Sequence, residues 1–169
     1  MEDPNDLFTM RDPHVLEEVA NRTTQEDPII MYLIVRESLS MSIGKTSAQC
    51  AHASQMLLLQ FHKEQRKWES SWDPVYGPSQ EDYDSFPSET KLRWNVFDKW
   101  LCGSFRKVVL RADDKEWIKI KLEIPEVNRI TVVDAGLTEI PSGSETVIGI
   151  WPMYKSQVPK IIKKLQVLK

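Results

Sequence analysis

The sequence predicts a single α/β domain in which strands and helices alternate around a mixed sheet covered on both faces. Three observations lead there. Ile29 to Val35 is an almost unbroken apolar run rich in β-branched residues, the pattern of a strand buried on both sides. Gly44 to about Lys67 has no proline and no internal glycine and is dense in Ala, Gln, Leu and Met, which predicts one long helix. Strand-like and helix-like segments then alternate towards the C-terminus.

Taken in order, Ile29–Val35 is the central strand and 38–43 a loop. In the long helix, successive residues at about 100° put Lys45, Gln49, His52 and Met56 on one stripe and Cys50, Leu57 and Phe61 on a broader apolar side. Residues 69–89 turn to Pro, Gly, Ser, Asp and Tyr and read as an acidic surface insertion. From Thr90 to Leu101 a helix is expected with Leu92, Val96, Phe97 and Trp100 inward. A strand over 107–111 follows, then a short helix opened by Asp113 and running to about Glu123. Strands over 128–133 and 145–150 come next, and a closing helix from Tyr154 to Leu165 is punctuated by Pro159. Residues 1–28 lack a sustained apolar period and contain Pro4, Pro13 and Pro28, so they are expected to be an extension outside the core.

A chain of 169 residues has room for one domain that buries about two-thirds of its unfolded surface. Its 41% hydrophobic and 28% charged residues exclude the disordered and membrane classes. There is no run of 18 apolar residues, and the acidic first thirty residues lack the basic flank of a signal peptide. Cys50 and Cys102 form neither a metal spacing nor a disulfide framework, so free thiols in a cytoplasmic protein are expected. The net charge of −3 is unevenly spread. Residues 1–28 and 67–90 together carry −11, and the remaining residues carry +8. A basic body with two acidic appendages is compatible with a polyanionic partner.

Three segments fall at strand ends or at loop-to-helix junctions, where open α/β sheets place their ligands. Ser42-Ile-Gly-Lys-Thr46 puts a lysine at a helix start, where backbone N–H groups already favour anions. Asp134-Ala-Gly-Leu-Thr138 follows a strand, and Ser142-Gly-Ser-Glu-Thr146 leads into the next. Taken singly, each also fits a helix cap or a turn. A P-loop is excluded, because its first glycine would fall at Leu39 and residues 39–43 contain none. A Ser-His-Asp hydrolase lacks the Gly-x-Ser-x-Gly elbow.

Together these residues resemble a known family. Met41-Ser-Ile-Gly-Lys45-Thr-Ser-Ala-Gln49-Cys50-Ala-His52-Ala53 is similar to the first signature of the archaeal and eukaryotic type of peptidyl-tRNA hydrolase. The segment from Asp134 through Thr138 and Gly143 to Thr146 is similar to the second. The likeness covers about 29–169, interrupted by the insertion. It implies a three-layer α/β/α fold with a four-stranded mixed sheet. It also implies catalytic Lys45, Asp134, Thr138 and Thr146, supporting Gln49 and His52, a peptidyl-tRNA substrate, and no metal or organic cofactor. The sequence departs from the family at Ile43, where many relatives carry a further lysine, and at Trp151, a bulky ring expected beside the site that would narrow it or offer a stacking surface.

The expected reaction is hydrolysis of the peptidyl-tRNA ester. Asp134 orients or deprotonates water, Lys45 stabilises negative charge, and Thr138 and Thr146 hold water and carbonyl. The alternative is a weak or inactive relative that binds tRNA or a protein partner, motivated by Ile43, Trp151 and the insertion. Oligomeric state stays open, a homodimer included.

Overall fold

The computed structural model describes residues 27–69, 84–103 and 105–169. Residues 1–26 of the expected extension and 70–83 of the expected insertion lie outside them. The strands are β1 (Ile29–Arg36), β2 (Lys107–Ala112), β3 (Arg129–Val133), β4 (Glu145–Tyr154) and β5 (Gln166–Val167). The helices are α1 (Ile43–Glu69), α2 (Ser88–Leu101), α3 (Asp114–Glu123) and α4 (Lys160–Lys163).

The strands form one mixed sheet in the order β3-β4-β1-β2-β5. The β1–β2 pair is parallel, and β4 runs antiparallel to both β1 and β3. The expected four-stranded sheet therefore has a fifth strand. Gln166 and Val167 pair antiparallel with Arg111 and Leu110, and the Leu168 N–H donates to the Val109 carbonyl at 3.0 Å. Both β5 residues are exposed, so no apolar run announces the strand.

β1 is the middle strand, and its continuous apolar run is explained by two cores. Ile29, Met31, Leu33 and Val35 pack with Cys50, Leu57 and Phe61 of α1 and with Trp94, Phe97 and Trp100 of α2. Ile30, Tyr32 and Ile34 pack with Trp117 and Ile120 of α3 and with Ile161 and Ile162 of α4. Helices thus cover both faces of the sheet. Fully buried side chains such as Leu57 and Phe61 each contribute about 1.5–3 kcal/mol over exposure. Gly149 lets α1 lie close to β4, because a Cβ there would meet Leu57 Cδ1 at 3.0 Å and Ile130 Cδ1 at 3.1 Å.

Local signals set the helix starts. Asp113 caps α3 by accepting from the Glu116 N–H at 2.8 Å, and Glu116 returns a bond from the Asp113 N–H at 3.0 Å. On α2, Trp94 rather than the expected Leu92 turns inward, and Leu92 is exposed. The two flank the apolar face on opposite margins. Burial favours the larger ring, whose indole N–H reaches Glu64 at 3.0 Å.

The C-terminal expectations need two corrections. β4 continues past Ile150 to Tyr154, because Trp151 and Pro152 sit in a bulge between the Tyr32–Ile150 and Ile30–Met153 pairs. A bulge tolerates a residue with no N–H to donate. The expected helix from Tyr154 to Leu165 shrinks to a 3-10 turn at Lys155–Gln157 and the single turn of α4. Pro159 holds Val158 in an extended conformation, φ −59° and ψ 126°, so the helix can start only beyond it.

Candidate active site

The N-terminus of α1 and the loop from β3 to β4 meet at one end of the sheet. Ser42 makes the junction. Its hydroxyl caps α1 by accepting from the Lys45 N–H at 3.2 Å and itself donates to Glu139 Oε1 at 2.5 Å, and its N–H donates to Glu139 Oε2 at 2.9 Å. These bonds hold the Glu139 carboxyl below its ordinary range, the Ser42 hydroxyl first, then the Ser42 N–H, with the Lys45 charge adding to both.

The loop itself is built around Asp134. The Asp134 N–H donates to the Ser144 carbonyl at 2.9 Å, and the Asp134 carbonyl accepts from the Gly143 N–H at 2.9 Å. Asp134 Oδ2 accepts from the Gly136 N–H at 2.8 Å, a local turn that aims the carboxylate at α1. Gly136 has φ +76°, and a Cβ there would lie 2.4 Å from the Ser142 nitrogen, so only glycine fits.

Facing this carboxylate, Lys45 Nζ lies 2.5 Å from Asp134 Oδ1 and donates to Thr138 Oγ1 at 3.1 Å. Gln49, one turn further along α1, donates through Nε2 to the same Oδ1 at 2.7 Å. Thr146, second residue of β4, donates to Gln49 Oε1 at 2.9 Å or to the Val132 carbonyl at 3.2 Å. The Gln49 amide has one satisfying orientation, since its reverse would point an oxygen at a carboxylate. The hydrogen bond from Lys45 first, then the Gly136 N–H, the Lys45 charge and the Gln49 amide hold the Asp134 carboxyl below its ordinary 3.8, against the opposing effect of desolvation.

Five of the six residues singled out from sequence thus form one continuous network: Thr146, Gln49, Asp134, Lys45 and Thr138. His52 does not join it and stands exposed on α1. Access differs along the chain of bonds. Thr138 is exposed, Lys45 is partly covered, and Thr146 is wholly buried. Glu139 was not singled out; its place within the second signature was the only signal for it, because its partner Ser42 lies 97 residues away.

Trp151 is not beside this site. It is 2% exposed, packs on Phe61 and Phe97, and donates its indole N–H to the Arg93 carbonyl at 3.2 Å. Five residues of strand, roughly 17 Å, separate it from Thr146. Ile43 stands 87% exposed at the start of α1. Among the described residues, no cluster of three His, Cys, Asp or Glu is placed to hold a metal ion, and no helix is long and apolar enough to cross a membrane.

The geometry can polarise a carbonyl. An ammonium has three donors, and Lys45 commits two of them to Asp134 and Thr138. A carboxylate has about four acceptor positions, and Asp134 fills three. Among the described residues this leaves one donor of Lys45 and one acceptor of Asp134, on Oδ2, uncommitted.

Comparison with known proteins bears on this arrangement. The family model described as Peptidyl-tRNA hydrolase PTH2 matches residues 29–168. The chain is 28% identical over 139 residues to peptidyl-tRNA hydrolase 2 of Saccharomyces cerevisiae, covering 80% of this chain and 56% of the relative. It is 30% identical over 139 residues to the mitochondrial peptidyl-tRNA hydrolase 2 of Bos taurus, covering 80% and 62%. With the peptidyl-tRNA hydrolase of Methanopyrus kandleri it shares 29% identity over 143 residues, covering 81% and 96%. The match thus takes in little more than half the length of the yeast and bovine relatives and nearly all of the archaeal one.

Proposed function

The chain belongs to the peptidyl-tRNA hydrolase PTH2 family, and from that premise we propose that it hydrolyses the ester between a peptide and its tRNA at the Lys45–Asp134 site. The observation that carries the proposal is the uncommitted donor of Lys45 next to the uncommitted acceptor of Asp134. Ester hydrolysis asks for that pair: a cation where the carbonyl oxygen becomes an oxyanion, and an acceptor that orients water for attack.

In this mechanism the third N–H of Lys45 takes the carbonyl oxygen of the ester. Water donates one proton towards Asp134 Oδ2, and the Thr138 hydroxyl steadies it. Attack gives a tetrahedral intermediate whose negative charge faces Lys45. The proton that the water sheds on attack passes through neighbouring water to the ribose oxygen as its bond to the carbonyl carbon breaks, and the peptide acid loses its remaining proton to solvent and leaves as a carboxylate. Asp134 acts by orientation and charge more than by proton abstraction, because its lowered pKa makes it a weak base. Thr146, buried as it is, acts through Gln49: the hydroxyl fixes the amide, and the amide fixes the carboxylate. That replaces its expected contact with the carbonyl. The same proposal has the protein working in the cytoplasm on tRNA held by its basic body, without metal or organic cofactor.

A second reading, binding without turnover, draws on exposed Ile43, an apolar side chain two residues before Lys45. Burial of Trp151 removes one of its three motives. Release of peptide from purified peptidyl-tRNA separates the two. Multiple-turnover release is expected, and tRNA binding with no release would replace hydrolysis by the binding role.

A further inference from the structure

On the flank of α1 away from Asp134, a groove of about 460 Å³ opens between α1 and β2. That volume is in the range of small-molecule pockets, about 300–1,000 Å³. Leu33, Leu58 and Val109 supply an apolar floor, with Trp100 and Phe105 at one end. Among the described residues, Lys107 is the one charged side chain that lines the groove.

Three features set Lys107 apart from a solvated surface lysine. Its ammonium lies 3.2 Å from the centroid of the Phe105 ring and 4.8 Å from that of Trp100, so two aromatic faces hold it inside the groove. Among the described residues no carboxylate pairs with it, and its hydrogen bond to the Phe105 carbonyl is long, 3.4 Å. Phe105 itself has φ +52°, a left-handed conformation that a bulky residue adopts only when its surroundings impose it. Burial lowers the Lys107 pKa to about 8, as expected of a cation without a counter-ion. Cys50 supplies none, since burial raises its thiol pKa and keeps it neutral.

We propose that this groove binds an apolar monocarboxylate, with its hydrocarbon part along Leu33, Leu58 and Val109 and its head group on the Lys107 ammonium. A single cation matches a single negative charge. Phosphate sites recruit several donors, typically arginine forks or helix N-termini, and among the described residues no arginine lines the groove. The ligand chemistry is shared by a medium-chain fatty acid and by the free C-terminus of an apolar peptide. Lys107 takes no part in the Lys45–Asp134 network, so this site stands or falls independently of the proposed hydrolysis.

Calorimetry on the full chain with octanoate, 1-octanol, and a trileucine peptide with free or amidated C-terminus tests it. Octanoate should bind about tenfold or more tightly than octanol, the worth of one charge-assisted hydrogen bond. Lys107→Met, which keeps the apolar stem, should erase that preference and leave octanol binding as it was. Tighter binding of the free peptide than of octanoate assigns the groove to peptide C-termini, and the reverse order assigns it to fatty acids. Equal binding of octanoate and octanol, a preference that survives in Lys107→Met, or no binding of either carboxylate overturns the proposal. If thermal unfolding finds Lys107→Met misfolded, the octanoate and octanol comparison on the unaltered chain decides alone.

Discussion

Replacing Thr146 by valine isolates the least accessible part of the network. The two side chains have nearly the same shape, so packing is kept while one hydroxyl is lost. That hydroxyl is 0% exposed and bonds Gln49 Oε1 at 2.9 Å. Gln49 is itself only 4% exposed, so its carbonyl oxygen would be left buried without a partner. Such a group costs about 1–3 kcal/mol, or about 3–9 °C in Tm for a domain of this size. A Gln49 amide free to turn no longer fixes Asp134 Oδ1. If about 1–2 kcal/mol of that loss reaches the transition state, kcat falls about five- to thirtyfold. KM should stay nearly constant, since Thr146 is wholly buried. Steady-state hydrolysis of purified peptidyl-tRNA measures both constants, and Thr146→Ser, which keeps the hydroxyl, should restore most of kcat. A valine variant with unchanged kcat, or a serine variant as slow as valine, would refute the positioning role.

Asp134→Asn should lower kcat by about a hundred- to ten-thousandfold with the fold retained, because Asn can still accept from Lys45 and Gln49 but loses the charge and turns an N–H₂ towards the Gly136 N–H; wild-type turnover in a variant shown to be folded would remove Asp134 from the mechanism. The pH profile follows from the lowered pKa values of Asp134 and Glu139. Stability from a depressed carboxyl is fully present above its ordinary pKa, 3.8 or 4.5, and is lost as pH falls through the lower folded value. Between pH 5 and 8, neither stability nor kcat should show a step from Asp134; a kcat limb in that window that disappears in Asp134→Asn would contradict the assignment. Deleting residues 1–26 should leave hydrolysis unchanged, whereas deleting 1–28 should lower Tm. Asp27 accepts from the Ser156 N–H at 2.8 Å and from its hydroxyl at 2.7 Å, and Pro28 accepts from the Lys155 N–H at 2.9 Å. Equal melting temperatures for the two truncations would show that these bonds hold nothing in place.

What the sequence determined by itself was local. The buried run of β1, the span of α1 and the Asp113 cap of α3 are each written within one or two turns of chain, where period, propensity and capping act between neighbours. The residues of the candidate site were named through the resemblance of two glycine-bearing motifs, one at a helix start and one at a strand end, to a known family. Their arrangement was not. Lys45 and Asp134 lie 89 residues apart and Gln49 and Thr146 lie 97 apart, and no local rule says which hydroxyl reaches substrate and which is sealed behind an amide. His52 shared a helical stripe with Lys45 and Gln49, yet it stands exposed and outside the network. Trp151, adjacent in sequence to the last expected strand residue, was carried into the core because β4 runs on past it beside β1, on the face that already buries Val147. β5 and the truncated closing helix had the same cause. A two-residue exposed strand and a helix delayed by Pro159 gain their stability from the neighbouring chain, β2 for one and the α3 face for the other, and such contacts exist only once the fold has brought distant segments together.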